Sequence, residues 1–160
     1  MSKEPFVVLL AEDDEHDIVA IKRAWKKHHI ANPLFIVNDG EECLDFLHQR
    51  GKYSDPDTAP QPGILLLDIN MPKMDGLTVL KHIREDKALH LLPVINLTSS
   101  KAEEDRLESY DLGVNAYIVK PVGFLNFSEA MRTINLFWQL VELPRSDNGF
   151  IHTFMRNRQP

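Results

Sequence analysis

Cysteine, surplus positive charge, long apolar runs and glycine-rich phosphate motifs are scarce or missing in this chain. The single cysteine among 160 residues, Cys43, rules out an internal disulfide framework and fits a reducing compartment. Its place in an amphipathic helical pattern reads as that of a small core residue. The formal net charge of −6 argues against nonspecific nucleic-acid binding, which needs a positive field. No apolar stretch approaches the ~20 residues that span a bilayer, so no membrane insertion is expected. The polar start Met1-Ser2-Lys3-Glu4-Pro5 is unlike a secretory signal, and the expected location is cytoplasmic. Nucleotide binding finds no G-x-G-x-x-G or P-loop pattern to support it. There is no internal repeat or low-complexity tract.

What remains is an ordinary globular mix, 43% hydrophobic and 26% charged, of a length that suits one domain with a real core. Apolar strand candidates fall at Phe6–Ala11, Leu34–Val37, Ile64–Leu67, Val94–Leu97 and Ala116–Val119. Helix-like segments lie between and after them, at Glu15–His29, Gly40–Arg50, Leu77–Arg84, Ala102–Leu112 and Asn126–Val141. This alternation predicts an α/β domain whose parallel sheet is covered on both faces. In the first helix Ile18, Ile21 and Trp25 share a face and leave Lys22, Arg23, Lys26 and Lys27 outside. The Pro-rich stretch Gly51–Gly63 reads as a long surface loop. Gly113, after Leu112, is expected to end the fourth helix as its C′ residue. Pro144 stops the last helix, which sets a domain at 1–143 and a C-terminal tail at 144–160.

Three strand ends carry chemistry. Val8-Leu9-Leu10-Ala11 runs into Glu12-Asp13-Asp14, Ile64-Leu65-Leu66-Leu67 into Asp68, and Ala116-Tyr117-Ile118-Val119 into Lys120-Pro121. Ligands of open α/β sheets bind beyond strand carboxyl ends, and carboxylates gathered there repel one another unless a cation intervenes. Magnesium suits such a site, because it takes oxygen ligands and bridges carboxylates to phosphate. Lys120 could hold a phosphoryl oxygen as a point charge, and the hydroxyl of Thr98 could donate to another. Positioning and charge neutralisation are what phosphoryl transfer requires, with a carboxylate as nucleophile. Singly, each group has a plainer reading: Asp14 as a helix cap, Lys120 as a surface lysine, Thr98 as a turn hydroxyl. Their conjunction on alternating strands is what points to phosphoryl chemistry.

Those residues resemble the receiver domains of two-component response regulators. The match rests on Glu12-Asp13, on Asp68 with Met71-Pro72-Lys73-Met74-Asp75-Gly76, on Thr98, and on Tyr117-Ile118-Val119-Lys120-Pro121. The resemblance implies a flavodoxin-like (βα)5 fold with strand order 2-1-3-4-5. It implies that Asp68 accepts a phosphoryl group from a histidine kinase, with Mg²⁺ held by Glu12, Asp13, Asp68 and the backbone of Asn70. Thr98 and Lys120 would contact the phosphoryl group, Thr98 and Tyr117 would form the switch pair, and a cis peptide would precede Pro121. The signalling surface would be the fourth helix, fifth strand and fifth helix. Asn70 and Ser100 occupy positions that tune hydrolysis in the family; neither is bulky, and an intermediate lifetime is expected. Catalysis would be limited to the chain's own phosphotransfer and autodephosphorylation.

Two features depart from that pattern. Asn96 interrupts the strand Val94-Ile95-Asn96-Leu97, and a buried amide there should be hydrogen-bonded. The last helix carries one apolar stripe through Phe127, Met131, Ile134, Trp138 and Val141, and a second through Leu136, Leu140 and Leu143. Two apolar faces on a surface helix point to a partner. The expectation is a homodimer through the last helix and adjoining strand, with Leu136, Leu140 and Leu143 as candidates and the tail contributing. The competing reading folds the tail back through Phe150, Ile151 and Phe154. The Gly51–Gly63 insertion and the ending Phe137-Trp138 to Leu143-Pro144 are similar to the small response regulators of cyanobacterial phytochrome kinases, which implies a light-regulated histidine kinase as partner. The tail is too short for a helix-turn-helix output domain, so output would run through protein contacts or onward phosphotransfer. A haloacid-dehalogenase-like phosphohydrolase is disfavoured by Asn70, where such enzymes carry an acid. A phosphorylation-independent module is disfavoured by the presence of Asp13, Asp68 and Lys120 together.

Overall fold

In the computed structural model, the backbone is described for residues 5–140 and side-chain placement through residue 133. Five short strands form one parallel sheet: β1 (Val8–Ala11), β2 (Leu34–Val37), β3 (Ile64–Asp68), β4 (Val94–Thr98) and β5 (Ala116–Val119). They alternate with α1 (Glu15–Lys27), α2 (Gly40–His48), α3 (Gly76–Glu85), α4 (Lys101–Glu108) and α5 (Phe124–Leu140). The strand order is β2-β1-β3-β4-β5, the expected arrangement. Strand bounds match the apolar runs to within two residues, since a strand buried on both faces must be apolar throughout.

Alternate side chains of each strand enter opposite layers. Leu9 and Ala11 pack with Leu65, Leu67, Val79, Leu80 and Ile83 beneath α2 and α3. Val8 and Leu10 pack with Ile64, Leu66, Ile21, Trp25 and Phe127 beneath α1 and α5. Ile18, Ile21 and Trp25 are buried as the helical spacing predicts, and Cys43 is fully buried. Its thiol is pushed up by that burial and by the charges of Asp39 and Glu42, so it is an inert core group. Of the expected α5 stripe, Phe127 and Met131 do pack against the core. The side chains of Ile134, Leu136, Trp138 and Leu140, and all of Val141, Leu143 and the tail, lie outside the described residues.

Helix starts follow local capping chemistry. Asp14, Asp39, Asp75 and Ser100 each accept a backbone N–H in the first turn of α1, α2, α3 and α4. One end differs from expectation: α4 stops at Glu108, four residues before Leu112, so Gly113 is not its C′ residue. Ser109, Tyr110 and Asp111 donate to carbonyls only three residues back, which tightens the last turn, and Asp111 then takes a left-handed φ of 50°. Leu107 is the only buried residue of α4, so little packing draws the helix onward.

The Gly51–Gly63 stretch is more anchored than a plain surface loop. It opens with a 3-10 turn at Gly51–Tyr53, and the Tyr53 ring lies 5.1 Å from that of Phe46. The Tyr53 hydroxyl donates to Glu42, and Ala59, fully buried, accepts from Gln49 Nε2 at 2.8 Å. Half-buried Arg84 ties two further loops together. It donates to the carbonyls of His90, Leu92, Leu112 and Gly113 at 2.7–2.9 Å, and burial brings its pKa down to about 10.

Candidate functional site

The register brings the three chemically loaded strand ends to one rim. Ala11 pairs with Leu67, which sets Glu12 and Asp13 beside Asp68; Asp68 pairs with Leu97, and Thr98 with Val119, next to Lys120. Strand order reverses between β1 and β3, the place where open α/β sheets leave a crevice.

Carboxylate oxygens of Glu12, Asp13 and Asp68 lie within 4.8 Å of one another. Glu12 is fully buried and Asp68 is 2% exposed, whereas Asp13 faces solvent. Glu12 Oε2 accepts the backbone N–H of Asp13 at 3.1 Å and of Asp14 at 3.2 Å, which curls the chain beyond β1. Its Oε1 sits 2.8 Å from Lys120 Nζ, yet off hydrogen-bond direction, so this buried oxygen lacks an aligned donor. Lys120 Nζ is also 3.1 Å from Asp68 Oδ2 and 3.1 Å from Asp17 Oδ2. The peptide between Lys120 and Pro121 is cis, as expected.

Electrostatics follow from this crowding. The Asp68 carboxyl is pushed up to about 7, first by burial and then by the hydrogen bond and charge of Glu12, with Lys120 opposing. For Lys120, burial alone would lower the ammonium, but Glu12, Asp68 and Asp17 outweigh it and hold it above the ordinary lysine range. A buried carboxylate pair with one oxygen poorly satisfied is a donor set for a hard divalent cation, and all three groups offer only oxygen. The residues present fit such an ion.

Glycine supplies the close packing behind Asp68. A Cβ at Gly76 would lie 2.2 Å from the Asp68 carbonyl oxygen and 2.8 Å from Ile69 Cα. The start of α3 can therefore rest directly on the strand end, and Gly76 N–H donates to the Ile69 carbonyl at 2.9 Å.

Thr98 is fully buried, and its hydroxyl has no partner. Tyr117 lies on the adjacent strand, two residues back in register. Its phenol is raised by burial and then by Glu108 and Glu104, which places it toward α4. Asn70 donates its backbone N–H to Asp68 Oδ1 at 3.4 Å and its side-chain amide to Glu103 Oε2 at 3.3 Å. Asn96 meets the expectation only halfway: Nδ2 donates to the Leu67 carbonyl at 3.2 Å, while Oδ1 is buried without a partner. That bond stays within the sheet, joining β4 to the last apolar residue of β3.

The sequence profile of the response regulator receiver domain matches residues 8–132. The chain belongs to that family. Response regulator Rcp1 of Synechocystis sp. is 37% identical over 144 residues, 89% of this chain and 96% of Rcp1. The solved structure of the bacteriophytochrome response regulator RtBRR superposes with a TM-score of 0.78 at 36% identity, covering 96% of this chain and 90% of RtBRR. The phosphorylated cyanobacterial phytochrome response regulator RcpA gives a TM-score of 0.68 at 35% identity, covering 88% and 99% of the two chains. A Mn²⁺-bound structure exists for Rcp1, at 37% identity and TM-score 0.66, covering 88% of this chain and all of that one. This receiver is thus a two-component response regulator homologous to phytochrome response regulators.

Sequence reasoning missed three residues of the receiver's site. Asp17 reads as an acid complementing the N-terminus of α1, and only the fold reveals its contact with Lys120, 103 residues away. Glu103, besides holding Asn70, accepts the backbone N–H of Ser99 at 2.9 Å. Asn38 donates to the Glu12 carbonyl at 3.2 Å. Among the described residues no helix is long and apolar enough to cross a membrane.

Proposed function

We propose that this receiver is a phosphorylation switch in which Asp68 takes a phosphoryl group from the phosphohistidine of a sensor kinase. An Asp68 oxygen attacks phosphorus, the phosphorus–nitrogen bond breaks, and the kinase imidazole leaves with its electron pair and takes up a proton. The observation that carries this reading is the placement of Asp68 Oδ2, buried and 3.1 Å from Lys120 Nζ, beside Glu12 and Asp13. Bound Mg²⁺, held by Glu12, Asp13, Asp68 and the backbone of Asn70, would neutralise charge on the carboxylates and the transferring phosphoryl oxygens. Lys120 supplies the second positive charge, and the unpartnered Thr98 hydroxyl is available to donate to a phosphoryl oxygen. Movement of Thr98 toward that group frees space for Tyr117 to turn inward and reshape the face of α4, β5 and α5. Catalysis is confined to the chain's own phosphotransfer and autodephosphorylation.

The kinase is of the phytochrome type, on the strength of the relatives RcpA and RtBRR. A groove of about 750 Å³ between the end of α1 and the start of α5 offers a docking surface, rimmed by Arg23, Lys26, Lys27 and His28 and floored by Val122 and Phe124. We also infer a homodimer through α5 and β5. Leu125 is 82% exposed and lines, with Ala116, Tyr117 and Ala130, a groove between β5 and α5 that a second copy would cover. Light scattering across a concentration series should show dimers; a monomer throughout refutes this part.

Intact-protein mass after incubation with acetyl phosphate tests the main reading. A single phosphoryl adduct that requires both Mg²⁺ and Asp68 is expected, and Asp68→Asn should remain unlabelled while folded. No adduct from acetyl phosphate or from a phosphorylated kinase would make the chain a phosphorylation-independent binding module.

A further inference from the structure

We propose that Asp17 is a positioning residue that holds Lys120 in reserve and releases it when Asp68 carries a phosphoryl group; this rests on the phosphorylation reading above. An ammonium has three N–H donors. Three carboxylates surround that of Lys120, at 2.8 Å for Glu12, 3.1 Å for Asp68 and 3.1 Å for Asp17. Of the three, Asp17 is the one that takes an aligned hydrogen bond from Lys120 Nζ, so a phosphoryl oxygen that engages Lys120 must draw it away from at least one of these carboxylates.

Physical cost selects which one. Glu12 is fully buried, and its other oxygen is held by the N–H groups of Asp13 and Asp14. Parting it from Lys120 would leave a buried, uncompensated charge, which is strongly unfavourable. Asp68 is the residue that is modified, and its charge passes to the phosphoryl oxygens bonded to it. Asp17 differs from both. Its side chain is 31% exposed and stands in the first turn of α1, where water can replace the lysine at small cost. Asp17 is therefore the carboxylate that yields. Until it does, it competes with the phosphoryl group for Lys120, and afterwards it remains a like charge close to that group.

Two consequences of opposite sign follow for Asp17→Asn, which keeps shape and polarity but removes charge. At saturating Mg²⁺, the variant should bind beryllofluoride, a phosphoryl mimic on the aspartate, about 3- to 10-fold more tightly than the wild type. Without the mimic, its affinity for Mn²⁺ should fall, because a negative charge near the acidic cluster has gone. Raising the salt should narrow the mimic's gain, and Asp17→Glu should behave close to wild type. The measurements are fluorine NMR titration for the mimic and the paramagnetic signal of free Mn²⁺ for the metal. A gain on the mimic with a loss on the metal supports the proposal. Unchanged or weaker mimic binding by Asp17→Asn, with the wild type binding normally, overturns it and leaves Asp17 a structural prop. Absence of mimic binding by the wild type itself overturns the phosphorylation reading, and this inference with it.

Discussion

Asp68 is a destabilising residue in the metal-free receiver, and its cost has a definite pH dependence. Its carboxyl stands at 3.8 ordinarily and is pushed up to about 7 in the fold. Between those values the native state binds more protons than the unfolded chain, so stability falls as pH rises. This contribution is intact below 3.8, and by pH 8 the wild type bears the full penalty, roughly 4 kcal/mol before relaxation. At pH 5 only the ~1.2 pH units above 3.8 count, about 1–2 kcal/mol. Asp68→Asn removes the titrating group and keeps its shape. With a chelator present, the variant's stability advantage should therefore grow by about 2–3 kcal/mol from pH 5 to pH 8. Urea unfolding followed by tryptophan fluorescence reads this, since Trp25 is buried in the core against Phe127. Adding Mg²⁺ at pH 8 should close the gap by stabilising only the chain that has all three carboxylates. A difference between wild type and Asp68→Asn that is flat across this pH range would refute the reasoning, because it would mean that Asp68 ionises as freely in the fold as in the unfolded chain.

Four other perturbations probe the site and its supports. Gly76→Ala should cost about 1–3 kcal/mol and weaken Mn²⁺ binding, since the new methyl would collide with the Asp68 backbone; thermal unfolding and metal titration check both. Arg84→Ala should cost about 3 kcal/mol, and Arg84→Lys should recover less than half of it, because an ammonium cannot reach four carbonyls as a planar fork does. Asn96→Leu should shift stability by less than about 1.5 kcal/mol in urea unfolding, as one half of the amide is already unpaired, whereas Asn96→Asp should cost about 3 kcal/mol or more by burying a charge. Lys26→Glu with Lys27→Glu should slow phosphotransfer from a phytochrome-type kinase at least about tenfold at low salt while leaving acetyl phosphate labelling unchanged; a mass-based time course separates the two.

The alternation of strands and helices, the strand bounds and the helix starts were legible in the sequence because their causes are local. A strand buried on both faces must be a continuous apolar run, and Asp14, Asp75 and Ser100 cap helices within three residues of themselves. Glu12, Asp13, Asp68, Thr98 and Lys120 could be named because each sits at the end of such a run. The end of α4 was misplaced because helix endings depend on packing, and α4 buries little. Only the tertiary structure decided which side chains converge. The sheet order sets β1 and β4 on either side of β3, and register then fixes distances across a hundred residues. That is why Asp17 reads as a helix-end acid in the chain and becomes a partner of Lys120 in the fold, and why Asn96, legible as an anomaly, shows only there that one half of its amide is bonded. Periodicity and capping act over a few residues and are written in the sequence; charge contacts between distant segments exist only once the sheet is assembled.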